Sequence, residues 1–170
     1  MRISTPLDNN MLPDRYGKYA PDDARIEGQP TCSFPIDIAE VPAGAASIAL
    51  AFLDWDAIPV GGFCWIHWIA ANIAPDCAHI PENASQSGEI PLVQGANSNW
   101  SPFLDRTDDP RLIHRYTGPC PPDKDHTYTL YAFALDCELD LDEGFYLSEM
   151  RRAMQGHVIE MAQLDIVSRA

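Results

Sequence analysis

The chain has 170 residues, a length that predicts one domain, residues 1–170, with a core large enough to stand without disulfide staples. Eleven basic residues face 25 acidic ones, giving a net charge of -14. That balance argues against nucleic acid as a partner, because phosphate-backbone binding draws on clustered Lys and Arg. It argues equally against a polybasic membrane anchor, and no apolar run approaches the ~20 residues of a spanning helix, so stable membrane insertion is not expected.

Five cysteines (Cys32, Cys64, Cys77, Cys120 and Cys137) are odd in number and irregular in spacing. Neither a disulfide framework nor a zinc ribbon follows from them, and no metal or cofactor is expected. Residues 1–13 carry Arg2 but no apolar core of a signal peptide, so a cytoplasmic location with reduced thiols is the expectation.

Residues 1–31 are polar and rich in Pro, Asp and Gly, and read as a surface wrap leading to a strand near residues 32–38. Residues 46–53 form a continuous apolar run of strand length, bounded by Pro42-Ala43-Gly44 and by Asp54-Trp55-Asp56. Apolar on both faces, it belongs inside a sandwich. Residues 63–73 are a second strand, rich in aromatic and β-branched side chains. Residues 75–115 lack periodicity and read as a long functional loop with short turns. Residues 126–135 alternate as a third strand. Residues 148–155 suggest a helix with Ser148 as N-cap and Gly156 just past its end. Residues 157–167 then read as a last strand, with a helix as the alternative. The fold class is mainly β: a sandwich with a small C-terminal helix.

Three polar residues stand out against this apolar frame. Strand alternation places His67 on a face with Trp65 and Ile69, and a histidine there needs a partner. His126 opens the third strand and shares a face with Tyr128, while Asp54 ends the first. Between them lies Gly118-Pro119-Cys120-Pro121-Pro122, a loop too proline-rich for a helix or a central strand. Its N–H groups at Gly118 and Cys120 are candidate anion donors. Taken singly, each histidine reads more readily as a satisfied core residue than as a ligand group.

The set resembles the phosphatidylethanolamine-binding family in its bacterial YbhB/YbcL, Raf kinase inhibitor-like, branch. Asp54-Trp55-Asp56-Ala57 resembles the family's Asp-Pro-Asp-Ala, and residues 62–68 resemble its histidine strand. Gly118 to Pro122 resembles its Gly-Pro-Cys-Pro-Pro loop, His126-Thr127-Tyr128 its His-x-Tyr, and Ala153-Met154-Gln155-Gly156-His157-Val158 a bacterial C-terminal segment. The sequence departs from the pattern at Trp55, where proline is usual, and at Asp165-Ile166-Val167, where a Gly-Thr-Tyr-like segment is common.

The resemblance implies a β-sandwich with a pocket at one end, lined by Asp54, Asp56, His67, Gly118, Cys120, His126 and Tyr128, with Pro121 and Pro122 at its lip. It implies a small anionic ligand, such as phosphate, a phosphoethanolamine-like head group or acetate, bound without chemistry. Both imidazoles are then expected to donate to the anion, with Asp54 behind one of them. A protein-interaction regulator of a kinase or protease, a homodimer, and a hydrolase using His67 and His126 as acid and base are the alternatives. The sequence shows no Gly-x-Ser-x-Gly elbow, phosphate loop or dinucleotide fingerprint.

Overall fold

A computed structural model describes residues 1–104 and 107–170. Among these residues ten strands follow one another: β1 (Arg2–Ser4), β2 (Arg25–Ile26), β3 (Gln29–Pro30), β4 (Ile36–Ala39), β5 (Ser47–Asp54), β6 (Trp65–Ile73), β7 (His79–Ile80), β8 (Val93–Gln94), β9 (His126–Leu135) and β10 (Val158–Ser168). Among the described residues four short α-helices interrupt them: α1 (Ile58–Gly61), α2 (Ala84–Ser87), α3 (Pro110–Ile113) and α4 (Leu147–Ala153). The stretch read as a loop at 75–115 therefore carries β7, α2, β8 and α3, and its residues 105 and 106 lie outside the described residues.

The main sheet has five antiparallel strands in the order β10-β9-β5-β6-β8, and a second sheet pairs β1-β4-β7. β5 sits in the middle of the first, which is why all eight of its residues are buried. Its even positions, Ile48, Leu50 and Phe52, meet Ile3, Ile36, Ile38 and Ile80 of the second sheet in one core. Its odd positions, Ala49, Ala51 and Leu53, face a second core closed by Leu139, Phe145, Met150 and Met154. The small alanines let α4 and the 139–145 segment lie close to the sheet.

β9 spans the residues its alternation indicates, and the segment read as 157–167 is a strand, Val158–Ser168, not a helix. The helix start differs from the sequence reading. The N-cap is Tyr146, whose N–H donates to Glu149 Oε2 at 2.7 Å, so Ser148 lies inside the first turn. Gly156, at φ 86°, lets the chain leave α4 and turn into β10.

One local irregularity decides what the sandwich can do. Phe52 pairs with Trp68 but Leu53 pairs with Ile66, so His67 is an extra residue on β6. This is a β-bulge, and it puts His67 and Trp68 on the same side of the sheet. The His67 ring packs 5.7 Å from Phe52 and 5.0 Å from Tyr128, whereas Ile69 lies in the opposite core. Simple alternation, which groups His67 with Ile69, fails at this residue.

Candidate functional site

Where β5 ends and β9 begins, a cavity of about 420 Å³ opens. The register places Asp54 opposite Tyr128 on β9 and Trp65 on β6. Asp54, Tyr128 and His126 continue the inward face of Phe52 and Leu130, and the bulge adds His67 to them.

Asp54 is buried and doubly engaged: Oδ1 accepts from Ala57 N–H at 3.0 Å, and Oδ2 accepts from His126 Nδ1 at 2.8 Å. The other ring nitrogen of His126, Nε2, meets Asp123 Oδ1 at 2.9 Å. Carboxylates only accept, so two such contacts make both ring nitrogens donors and the ring an imidazolium. Burial works against that charge, but the bonds to Asp54 and Asp123 outweigh it and raise the His126 pKa above the ordinary 6.5. Burial, reinforced by the Asp54 charge, also pushes the Tyr128 hydroxyl upward, so it stays protonated.

His67 behaves in the opposite way. Its Nδ1 donates to the carbonyl oxygen of Thr117 at 2.8 Å, which fixes the tautomer. Complete burial then lowers its pKa to about 4. At neutral pH the ring is uncharged, and Nε2 offers a lone pair on a ring that lines the cavity. The expectation that both imidazoles donate is thus corrected: desolvation keeps the proton off His67, and His126 alone is cationic.

The proline loop is fixed from several sides. Thr117 N–H donates to His67 O, Gly118 N–H to Pro30 O at 2.8 Å, and Lys18 Nζ to Pro121 O at 3.0 Å. A Cβ on Gly118 would lie 2.5 Å from Tyr16 O, so this approach admits only glycine. The Gly118 N–H is consequently spent on Pro30, and Cys120 holds the one remaining backbone N–H of a loop whose other members are prolines.

Asp54, His67, Gly118, Cys120, Pro121, His126 and Tyr128 all border the cavity, as does Pro122. Asp56 does not: its Oδ2 accepts from Thr127 N–H at 2.9 Å and ties the end of β5 to the start of β9. Sequence reasoning missed Asp123, which looks like a solvated turn charge, and the Thr117 carbonyl, which no side-chain pattern reveals. It also missed Val60 and Phe63, which form an apolar wall with Trp65, the Phe63 ring stacking on Trp65 at 6.0 Å.

This architecture is that of a two-sheet β-sandwich with a cavity at one end. The family model for phosphatidylethanolamine-binding protein matches residues 2–169, and the chain belongs to that family. It is similar to the uncharacterized protein YxkA of Bacillus subtilis, 48% identical over 161 residues and 95% of each chain. Among solved structures it resembles the putative phosphatidylethanolamine-binding protein homolog CT736 of Chlamydia trachomatis. The TM-score there is 0.75 at 31% identity, covering 94% of this chain and 90% of that one. The fold is also that of Escherichia coli YbcL, with TM-score 0.76 at 21% identity over 99% and 98% of the two chains. Among the described residues no helix is long and apolar enough to cross a membrane.

Proposed function

We propose that the end cavity binds a small phosphorylated ligand carrying one proton, of the phosphoethanolamine class, without catalysing its conversion. The observation that carries this reading is the unequal pair of imidazoles: His126 held as a cation, His67 held as a neutral acceptor. An incoming phosphate oxygen takes the place of the exposed Asp123 carboxylate on His126 Nε2. The P–O–H of a monoanionic monoester then donates to His67 Nε2. Monoesters lose that proton with a pKa near 6, so binding strengthens as pH falls toward 6. The released Asp123 can meet an ammonium on the ligand, and Phe63 and Trp65 can pack against its carbon skeleton. The cavity volume falls in the range of small-molecule sites.

The same geometry disfavours acid–base catalysis near pH 7. His67 is too weak a base, and both N–H groups of His126 are engaged by carboxylates. Calorimetric titration with O-phosphoethanolamine and with inorganic phosphate tests the reading. Binding by the wild type and its loss in His67→Ala are expected; no heat or thermal stabilisation at millimolar ligand counts against it, since a ligand at 100 times its Kd adds about 2.7 kcal/mol.

A second reading, a regulator that docks a protein partner, is favoured by the exposed apolar rim beside the mouth, where Trp55, Ile58 and Val60 are 47%, 45% and 50% accessible. A partner recovered with the wild type but not with Ile58→Glu supports it; one recovered equally by both argues against that surface.

A further inference from the structure

The five-stranded sheet carries a second polar cluster at its other end. β9 finishes at Leu135, and Asp136 and Cys137 follow; His157 stands immediately before β10. Asp136 and Cys137 are neighbours, His157 is distant in sequence, and the backbone locks them together. Asp136 N–H donates to His157 O at 3.0 Å, His157 N–H to Met154 O at 3.0 Å, and Ser47 Oγ donates to Cys137 O at 2.5 Å. On this frame Asp136 Oδ1 meets His157 Nδ1 at 2.8 Å. One ligand atom from each of Asp136, Cys137 and His157 lies within 4.8 Å of the other two.

We propose that Asp136, Cys137 and His157 form a binding site for one borderline-soft divalent transition-metal ion of the zinc class, with water in the fourth position. The proposal is independent of the ligand reading for the cavity. One thiolate sulfur, one imidazole nitrogen and one carboxylate oxygen are the three donor types that zinc takes, and a fourth, open position is common beside three protein ligands. Tetrahedral zinc with bonds of about 2.0–2.3 Å needs donor atoms roughly 3.3–3.7 Å apart. Small side-chain rotations reach that spacing from the present one, and the side chains of His157 and Asp136 are free to make them, being 47% and 53% accessible. Magnesium and calcium, which prefer six or more oxygens, are poorly served by this donor set.

Loading balances simply. The Cys137 thiol proton leaves to solvent, and His157 coordinates through Nδ1 with its remaining proton on Nε2. The Asp136 carboxylate exchanges its imidazole hydrogen bond for the ion. The following segment supplies Glu138, Asp140 and Asp142, a local acidic field that favours a cation.

The test uses the full chain, reduced and freed of metal with EDTA, titrated with Co²⁺ and then with competing Zn²⁺. One equivalent of Co²⁺ per chain is expected, with thiolate-to-cobalt charge-transfer absorption that Zn²⁺ bleaches and millimolar Mg²⁺ does not. Cys137→Ser should abolish that absorption. His157→Asn, a change at a half-exposed position, should weaken Co²⁺ binding at least tenfold while keeping the metal-free melting temperature. Cys77→Ser should bind as the wild type does. Absence of the thiolate band in the wild type, its persistence in Cys137→Ser, or undiminished affinity in His157→Asn overturns the proposal.

Discussion

The two ends of the main sheet hold the same pair of groups in the same geometry: His126 Nδ1 to Asp54 Oδ2 at 2.8 Å at one end, His157 Nδ1 to Asp136 Oδ1 at 2.8 Å at the other. What separates them is water. His126 is 1% accessible and Asp54 4%, whereas the His157 pair is about half exposed. A contact of one length is therefore two different things. In the cavity it is a charge that cannot lose its partner cheaply; at the far end it is a loose surface pair whose members can turn toward something else.

The largest expected effect comes from removing the imidazole at each end. His126→Ala leaves the buried Asp54 carboxylate without its charged partner, and should cost about 3 kcal/mol or more. His157→Ala should cost roughly 0.5 kcal/mol or less, as exposed ion pairs do. Urea denaturation of the two variants measures both, and equal losses would erase the distinction between the ends.

Within the cavity, the two histidines should pull stability in opposite directions with pH. The folded pKa of His67 lies below the unfolded value, so the unfolded chain takes up a proton that the folded one refuses, and stability falls as pH drops from 6.5 toward 4. The full shift corresponds to about 3 kcal/mol. The folded pKa of His126 lies above 6.5, so its contribution is complete below 6.5 and fades as pH rises through that raised value. Carboxylates with lowered pKa, such as Asp14 and Glu82 beside Arg169 and Arg15, add to the acid loss as pH falls toward 4.5 and below. Urea midpoints across pH should thus peak near 6.5, with His67→Gln flattening the limb from 6.5 to 4.5 and His126→Gln the alkaline limb. A wild-type profile flat from pH 5 to 8 would contradict the assigned charges.

A smaller effect separates occupancy from structure. Asp123 is half exposed and holds the seat on His126 Nε2 that the ligand is proposed to take. Asp123→Asn weakens that internal competitor, so phosphate should bind roughly threefold to tenfold more tightly, a gain on the order of 1 kcal/mol. Weaker binding would mean that Asp123 assists the ligand instead of yielding to it.

The contrast between the ends also shows what the sequence could disclose. β5 and β9 were legible because a central strand must be apolar on both faces and β9 alternates cleanly. Strand ends and alternation singled out Asp54, His126 and Tyr128, but only the resemblance to the family gathered them into one site. His67 was legible as a residue but not as a direction, since one extra residue on β6 reverses the parity on which the reading rested. Two-residue strands such as β7 and β8 carry no period to detect. The start of α4 was misplaced because a glutamate, Glu149, reaches back to the Tyr146 N–H, while Ser148 looked like the better cap. The far cluster was invisible: Cys137 and His157 have no metal-motif spacing, and only the β9–β10 pairing joins them.

The charge states of the two cavity rings, with and without phosphate, test the account most directly, through the ring ¹⁵N resonances of a histidine-labelled sample at pH 7. His67 should show one protonated nitrogen, Nδ1, and His126 two; adding inorganic phosphate should move His126 Nε2 and His67 Nε2 and leave His157 in place. A neutral His126, a protonated His67 in the free protein, or phosphate shifts absent from both cavity rings would contradict it.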